Sequence, residues 1–209
     1  MKNILAIGAH PDDIEIMAGG SLLKWKIEGM QVHALILTDG SGISPDGTPI
    51  RLKEDALEEQ RAVSERMEYD SCEILEEKSL FMTYKDSMVC EILRRIKEYD
   101  IDTILTCWDK DTHHDHAVVS QMAKMAGRHV PNFLMGQINY YIHDFYCPNV
   151  YVDVSNTWDK KIETCRLFKS AWKNHDKDWY DFLYSTATYF GRIVGTDKAE
   201  GFISTKFLL

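Results

Sequence analysis

The chain has 209 residues, 44% of them hydrophobic and 27% charged, enough to bury a substantial core and unlike the composition of a disordered protein. Acidic residues outnumber basic ones by 33 to 24, a formal net charge of −9, and no dense Lys/Arg run occurs, which argues against nucleic-acid binding. No stretch approaches the ~20 apolar residues that a membrane span requires.

Residues 3–9 form a short apolar run that reads as a buried strand; Gly8, His10 and two aspartates interrupt it too early for a signal core. Residues 20–29 carry Leu22, Leu23, Trp25 and Ile27 and predict a helix stopped by Gly29. Residues 31–37 are β-branched and apolar, a second strand, and residues 39–50 (DGSGISPDGTPI) are a loop. The charged stretch 53–68 predicts a solvent-facing helix. In residues 87–99, Val89, Ile92, Leu93 and Ile96 recur at helical spacing. Residues 103–107 predict a strand and 115–128 a helix; beyond Val150 come a β-like VYVDV, a helix around 159–172 and an aromatic tail.

Strands alternating with helices predict one α/β domain over residues 1–209, Rossmann-like, with a mostly parallel sheet flanked by helices. Ligands of such sheets sit beyond the carboxyl ends of the strands. Two polar clusters fall there: Ala9-His10-Pro11-Asp12-Asp13 after the first strand, and His113-His114-Asp115-His116 after the strand ending near Cys107. Imidazole and carboxylate are the ligands of a hydrolytic zinc that keeps one position open for water. The five cysteines, Cys72, Cys90, Cys107, Cys147 and Cys165, are widely spaced without a CxxC. They form neither a disulfide framework nor a thiolate zinc site, and they suit a reducing cytoplasm.

AHPDDIEIMAGG and HHDH resemble the AHPDDE and HxDH motifs of the LmbE-like, or PIG-L-like, N-deacetylases of amino sugars. Leu37-Thr38-Asp39-Gly40, Val152-Asp153-Val154-Ser155 and Ala199-Glu200-Gly201-Phe202 resemble further segments of that family, so the likeness runs nearly the whole chain. The resemblance implies a divalent ion, zinc or another such as Fe2+, held by His10, Asp13 and His116. It implies Asp12 as the general base acting on water, and His113 as oxyanion donor or as the cation that protonates the leaving amine. Asp115 is expected to orient His113 or a ligand histidine. Arg51, paired with Glu54, and Asp86 are the expected substrate-binding residues; for Asp86 the competing role is a helix N-cap. Ile14 and His114 depart from the motifs, where relatives carry glutamate and proline, but neither position is an expected ligand.

The reaction implied is removal of the N-acetyl group from an N-acetylated amino sugar, of the N-acetylglucosamine type or a conjugate of it, with release of acetate. The expected partner is that small molecule, with no nucleic acid and no membrane span. Relatives are often multimeric, so the resemblance also admits a homo-oligomer. A non-haem iron oxygenase uses the same two-His-one-carboxylate set, but usually on a β-sandwich. A catalytically silent carbohydrate-binding domain would have lost a ligand or the base, and none is lost. A nucleotide-binding Rossmann domain would show GxGxxG after the first strand, and none follows it.

Overall fold

The computed structural model describes residues 1–173 and 175–208. In chain order the elements are β1 (Asn3–Gly8), α1 (Asp13–Ile27), β2 (Gln31–Thr38), β3 (Gly42–Ile43), β4 (Pro49–Arg51), α2 (Lys53–Met67), β5 (Ser71–Glu77) and α3 (Asp86–Glu98). Then follow β6 (Thr103–Cys107), α4 (His114–Ala126), a 3-10 turn at Gly127–His129, β7 (Asn132–Gly136), β8 (Val150–Asp153), α5 (Trp158–Cys165), α6 (Lys169–Trp172), α7 (Asp176–Val194) and β9 (Ala199–Lys206).

Seven strands form one sheet in the order β5-β2-β1-β6-β7-β9-β8. The five from β5 to β7 run parallel, and β9 is antiparallel to both its neighbours. β1 and β6 are buried along nearly their whole length because both their faces are covered by helices. From β1 the chain winds outward through β2 to β5, then returns to lay β6 on the other side of β1. That reversal opens a crevice at the carboxyl ends of β1 and β6, where the two motifs emerge. The small hairpin β3–β4, inside the segment expected to be loop, stands over the same edge.

Helix α1 starts at Asp13, well before the expected residue 20, and carries Gly19 and Gly20 in its interior. Twelve of its fifteen residues are buried, so the helix is gripped on all sides and tertiary contact overrides the helix-breaking tendency of glycine. A Cβ at Gly20 would lie 2.9 Å from Val154, so the close approach of the segment after β8 requires glycine there. Helix α2 matches its expected solvent-facing character, burying only the stripe Ala56, Gln60, Val63 and Met67. The helix expected over 159–172 is broken into α5 and α6. Leu167 and Phe168 donate to carbonyls three residues back, tightening the turn while the Phe168 ring buries completely. Strand β5, half-buried at the sheet edge, matches no segment expected from the sequence.

Candidate metal and catalytic site

His10 and Asp12 lie on the turn between β1 and α1, and Asp13 opens α1. His113 precedes α4, and Asp115 and His116 occupy its first turn. The turn is tight: Asp13 Oδ2 accepts from the backbone N–H groups of Ala9 (2.8 Å) and His10 (2.8 Å). This leaves Oδ1 free to face the other motif, 3.2 Å from His116 Nε2.

The outer nitrogen of each facing histidine is engaged by a buried carboxylate. His10 Nε2 lies 3.0 Å from Asp115 Oδ2, an oxygen that also accepts from the Leu80 backbone N–H at 2.7 Å. A carboxylate surrounded by donors can only accept, so His10 carries its proton on Nε2 and presents a bare lone pair at Nδ1. His116 Nδ1 lies 3.2 Å from Asp111 Oδ2 and 3.4 Å from the Asn139 amide. The nearer, charged group places the proton on Nδ1 and the lone pair on Nε2. His10 Nδ1 and His116 Nε2 are 3.2 Å apart, and Asp13 Oδ2 is 3.5 Å from His10 Nδ1. With both rings neutral, two lone pairs and a carboxylate converge there, an all-acceptor set that takes up either protons or a cation. Tetrahedral bonds of ~2.0–2.2 Å separate ligand atoms by about 3.3–3.6 Å, so the donor set fits a zinc-type ion.

The same convergence appears in the proton affinities of the ring nitrogens. Burial disfavours charge on His10, but the Asp13 charge and the bond to Asp115 outweigh it and raise the imidazole to about 9. His116 is raised to about 10 in the same way, burial being overcome by Asp13 and Asp111. Asp13, although buried, is held well below the usual carboxylate range by the two histidines.

Asp12 sits beside this set in a left-handed conformation (φ 114°), which only a residue held from several sides retains. Its Oδ2 accepts from Arg51 Nη1 at 3.1 Å. Burial pushes the carboxyl up to about 6, opposed by the Arg51 charge and reinforced by Asp13. Arg51, expected to bind substrate, is instead consumed by the protein. Nη1 also donates to the Pro11 carbonyl (2.9 Å), Nε to Ser170 Oγ (2.9 Å) and Nη2 to Glu59 (3.3 Å). Its partner is Glu59, one helical face further along α2, and not the exposed Glu54. It lines the cleft but acts on Asp12.

His113 caps α4, its Nδ1 accepting from the Asp115 backbone N–H at 3.2 Å. A backbone N–H is always a donor, so Nδ1 is the acceptor and the neutral ring keeps its proton on Nε2. His113 therefore has no lone pair for a metal, although its ring lies close to those of His10 and His116. Burial, then the charges of His116 and His10, lower it to about 4. Of the two roles expected for His113, this favours the uncharged oxyanion donor over the cation that protonates the leaving amine. Of the two partners expected for Asp115, the side chain takes His10, and only its backbone N–H reaches His113.

Asp86 is a second correction. It is exposed in the first turn of α3, is not among the residues lining the cleft, and the N-cap position belongs to Lys85. Trp108 is buried edge-on against Tyr146 in the core, and the exposed His114 pairs with the Met82 carbonyl. Sequence reasoning passed over Asp111, Asn139, Tyr141 and Trp179. The signal for Asp111 was its place two residues before the HHDH motif, on the same strand-end loop. The cleft, about 280 Å³, is lined by the β3–β4 residues Gly42, Ile43, Ile50 and Arg51 together with Tyr141 and Trp179.

The sequence profile of the family PIG-L (GlcNAc-PI de-N-acetylase) matches residues 5–126, more than half the chain and both motifs. The chain belongs to the PIG-L family. This PIG-L member is 27% identical over 222 residues to the diacetylchitobiose deacetylase of Thermococcus kodakarensis, covering 96% of the chain and 82% of that protein. The solved N,N'-diacetylchitobiose deacetylase from Pyrococcus horikoshii superposes with a TM-score of 0.84 at 19% identity, over 98% of this chain and 84% of that one. The 4-carboxy-2-hydroxymuconate hydratase GalB from Pseudomonas putida KT2440 also shares the fold, with a TM-score of 0.77 at 18% identity, covering 100% and 98%. The PIG-L architecture thus carries more than one reaction, and function has to be argued from the site.

Proposed function

We propose that this PIG-L member is a zinc-dependent hydrolase that removes the N-acetyl group from an N-acetylated amino sugar, releasing acetate. One observation carries the reading: His10 Nδ1, His116 Nε2 and the Asp13 carboxylate converge on one point, all acceptors when the rings are neutral, with the Asp12 carboxylate beside the gap. His10, Asp13 and His116 would hold the ion, which would supply Lewis acidity to the amide carbonyl and acidify a water. Asp12, fixed by Arg51 and raised to about 6, is ionised near neutral pH and accepts the water's proton. His113 Nε2–H donates to the oxygen that gains charge as the carbonyl is attacked. With His113 neutral, Asp12 is the group that can return the proton to the departing amine.

The deacetylases among its relatives support the reaction class, and the α/β setting disfavours the oxygenase reading. No described helix is long and apolar enough to cross a membrane. A single domain is supported by one continuous hydrophobic cluster reaching from β1 to β9, and a reducing, cytoplasmic setting by five unpaired cysteines. Fe2+ in place of zinc would leave the hydrolytic roles unchanged. The decisive experiment is acetate release from a panel of N-acetyl amino sugars by zinc-loaded protein, with and without chelator. Folded protein that takes up no divalent ion, or that takes one up and releases no acetate from any of the sugars, would end this reading.

A further inference from the structure

A secondary amide and an ester of the same acid differ at one polar atom. The amide carries an N–H donor where the ester carries a bare oxygen, so a site that tells them apart holds an acceptor for that N–H. Asn139 lies three residues beyond Gly136, at the carboxyl end of β7, and lines the cleft although it is only 3% exposed. Its side-chain amide is oriented by Asp111: Nδ2 donates to Asp111 Oδ1 at 2.6 Å, and the same oxygen accepts from the His113 backbone N–H at 2.7 Å. A carboxylate only accepts, so the NH2 of Asn139 faces Asp111 and its carbonyl Oδ1 is turned the other way. The Asn139 main-chain carbonyl accepts from Gln137 Nε2 at 2.9 Å, which fixes the turn that carries the residue. Among the described residues nothing donates to Oδ1, and the atom is not sealed in the interior; it opens on the cleft.

The other hydroxyls that line the cleft are engaged or stand apart. Ser41 Oγ accepts from Lys78 at 2.7 Å while donating to Asp39 at 2.8 Å. Ser170 Oγ accepts from Arg51 Nε at 2.9 Å while donating to Glu59 at 2.6 Å. Ser79 is buried, its hydroxyl directed at Thr38 and Asp39, and Tyr141 is exposed. Asn139 Oδ1 is therefore an uncharged acceptor without a protein donor, on a side chain whose Nδ2 lies 3.4 Å from His116 Nδ1.

Building on the deacetylase reading, we propose that Asn139 selects an amide over an ester: its Oδ1 accepts the N–H of the scissile acetamide while His113 Nε2–H meets the carbonyl oxygen. Both groups hang on Asp111, which takes Asn139 Nδ2 and the His113 backbone N–H on one oxygen. Acceptor and donor are thereby held in a fixed relation before the substrate arrives, and no reorganisation is needed to receive one amide group. An ester in the same place turns an oxygen lone pair towards Oδ1, where two acceptors repel and neither is satisfied.

The test pairs the fastest N-acetyl sugar of the acetate-release panel with its O-acetyl counterpart, the same sugar with the N–H replaced by oxygen, on zinc-loaded protein. Asn139→Ala should lower kcat/KM for the amide roughly 5- to 100-fold, the effect of one buried hydrogen bond between uncharged groups, and leave the ester rate unchanged or higher. An intact ester rate shows that fold, metal and base survive, so that the loss belongs to the N–H. Asn139→Leu, close to asparagine in shape without its polar atoms, should give the same pattern and guards against the effect of a cavity. Equal losses on amide and ester would overturn the proposal, leaving Asn139 a mere support of Asp111, and so would an undiminished amide rate. Should no sugar release acetate, the deacetylase reading itself fails. Calorimetric binding of N-acetylglucosamine and of 2-O-acetylglucose then decides the role of Asn139. Weaker binding of the amide alone in Asn139→Ala supports it; amide binding that is absent, unchanged or weakened equally with the ester overturns it.

Discussion

Helix α1 touches two buried charged clusters that are built on opposite plans. Near its middle, Lys161 Nζ donates to the Ile16 carbonyl (2.7 Å) and to Glu200 Oε1 (2.6 Å). Glu200 also accepts from the backbone N–H groups of Gly20 (3.0 Å) and Ser21 (2.7 Å). Donors and acceptors alternate there, and the cluster is closed. It ties α5 and β9 to α1 and gives the Ala199-Glu200-Gly201-Phe202 segment a structural role. At the amino end of α1, acceptors face acceptors once the rings are neutral: His10 Nδ1, His116 Nε2 and Asp13 meet with no fixed donor among them. A closed cluster stabilises a fold, whereas an open one of this kind stores an affinity for a cation. What separates site from scaffold is the balance of donors and acceptors, since both clusters are largely buried.

The largest effect should come from removing a member of the open cluster. His10→Ala or His116→Ala should abolish metal uptake and acetate release together, measured by elemental analysis and assay, while thermal unfolding of the metal-free protein stays cooperative. Metal retention in both variants would place the ion elsewhere. Asp12→Asn should keep the metal yet lose on the order of 10²–10⁴-fold in kcat, the usual effect of losing a general base. If Asp12→Asn loses the ion and Asp13→Asn keeps it, the two aspartates have exchanged roles.

The closed cluster should respond in the opposite sense. Lys161→Ala leaves Glu200 buried without its counter-ion and should destabilise the fold by about 3–5 kcal/mol in denaturant titration, while the folded fraction keeps its metal affinity. A loss of metal without a loss of stability would contradict the division between the two clusters. A smaller change is expected from Asp111→Asn, which removes the carboxylate on His116 Nδ1 and should weaken metal binding roughly 10–100-fold.

The most graded test is pH. His10 and His116 hold their protons more tightly when folded, at about 9 and about 10, than the ordinary value of 6.5. Protonation therefore favours the metal-free fold fully below pH 6.5, and that contribution is lost as pH rises through 9 to 10. Metal competes with those protons, so the rise in melting temperature on adding zinc should grow from pH 6 towards pH 9. In the loaded protein, activity should fall as pH drops through about 6, where Asp12 gains its proton. A pH-independent zinc effect would mean that the two imidazoles are not the groups displaced.

Much of this protein was legible in one dimension. The proposed ligands lie within two contiguous motifs, each directly after an apolar run, and β-strands of a parallel sheet bring such strand ends to one crevice by topology alone. Local pattern misled where packing overrode it, as at Gly20, which reads as the start of a helix and lies inside one. It also could not assign Arg51, whose partners Asp12, Glu59 and Ser170 come from three separate segments. Whether a guanidinium meets substrate or protein depends on which carboxylates the fold places around it. The same holds for the protonation of His113, decided by a backbone N–H at the start of α4 and by two neighbouring imidazoles. Residue type and spacing determined which groups can bind a metal; only the tertiary structure decided where each proton resides, because that depends on the distances and directions between groups remote in sequence.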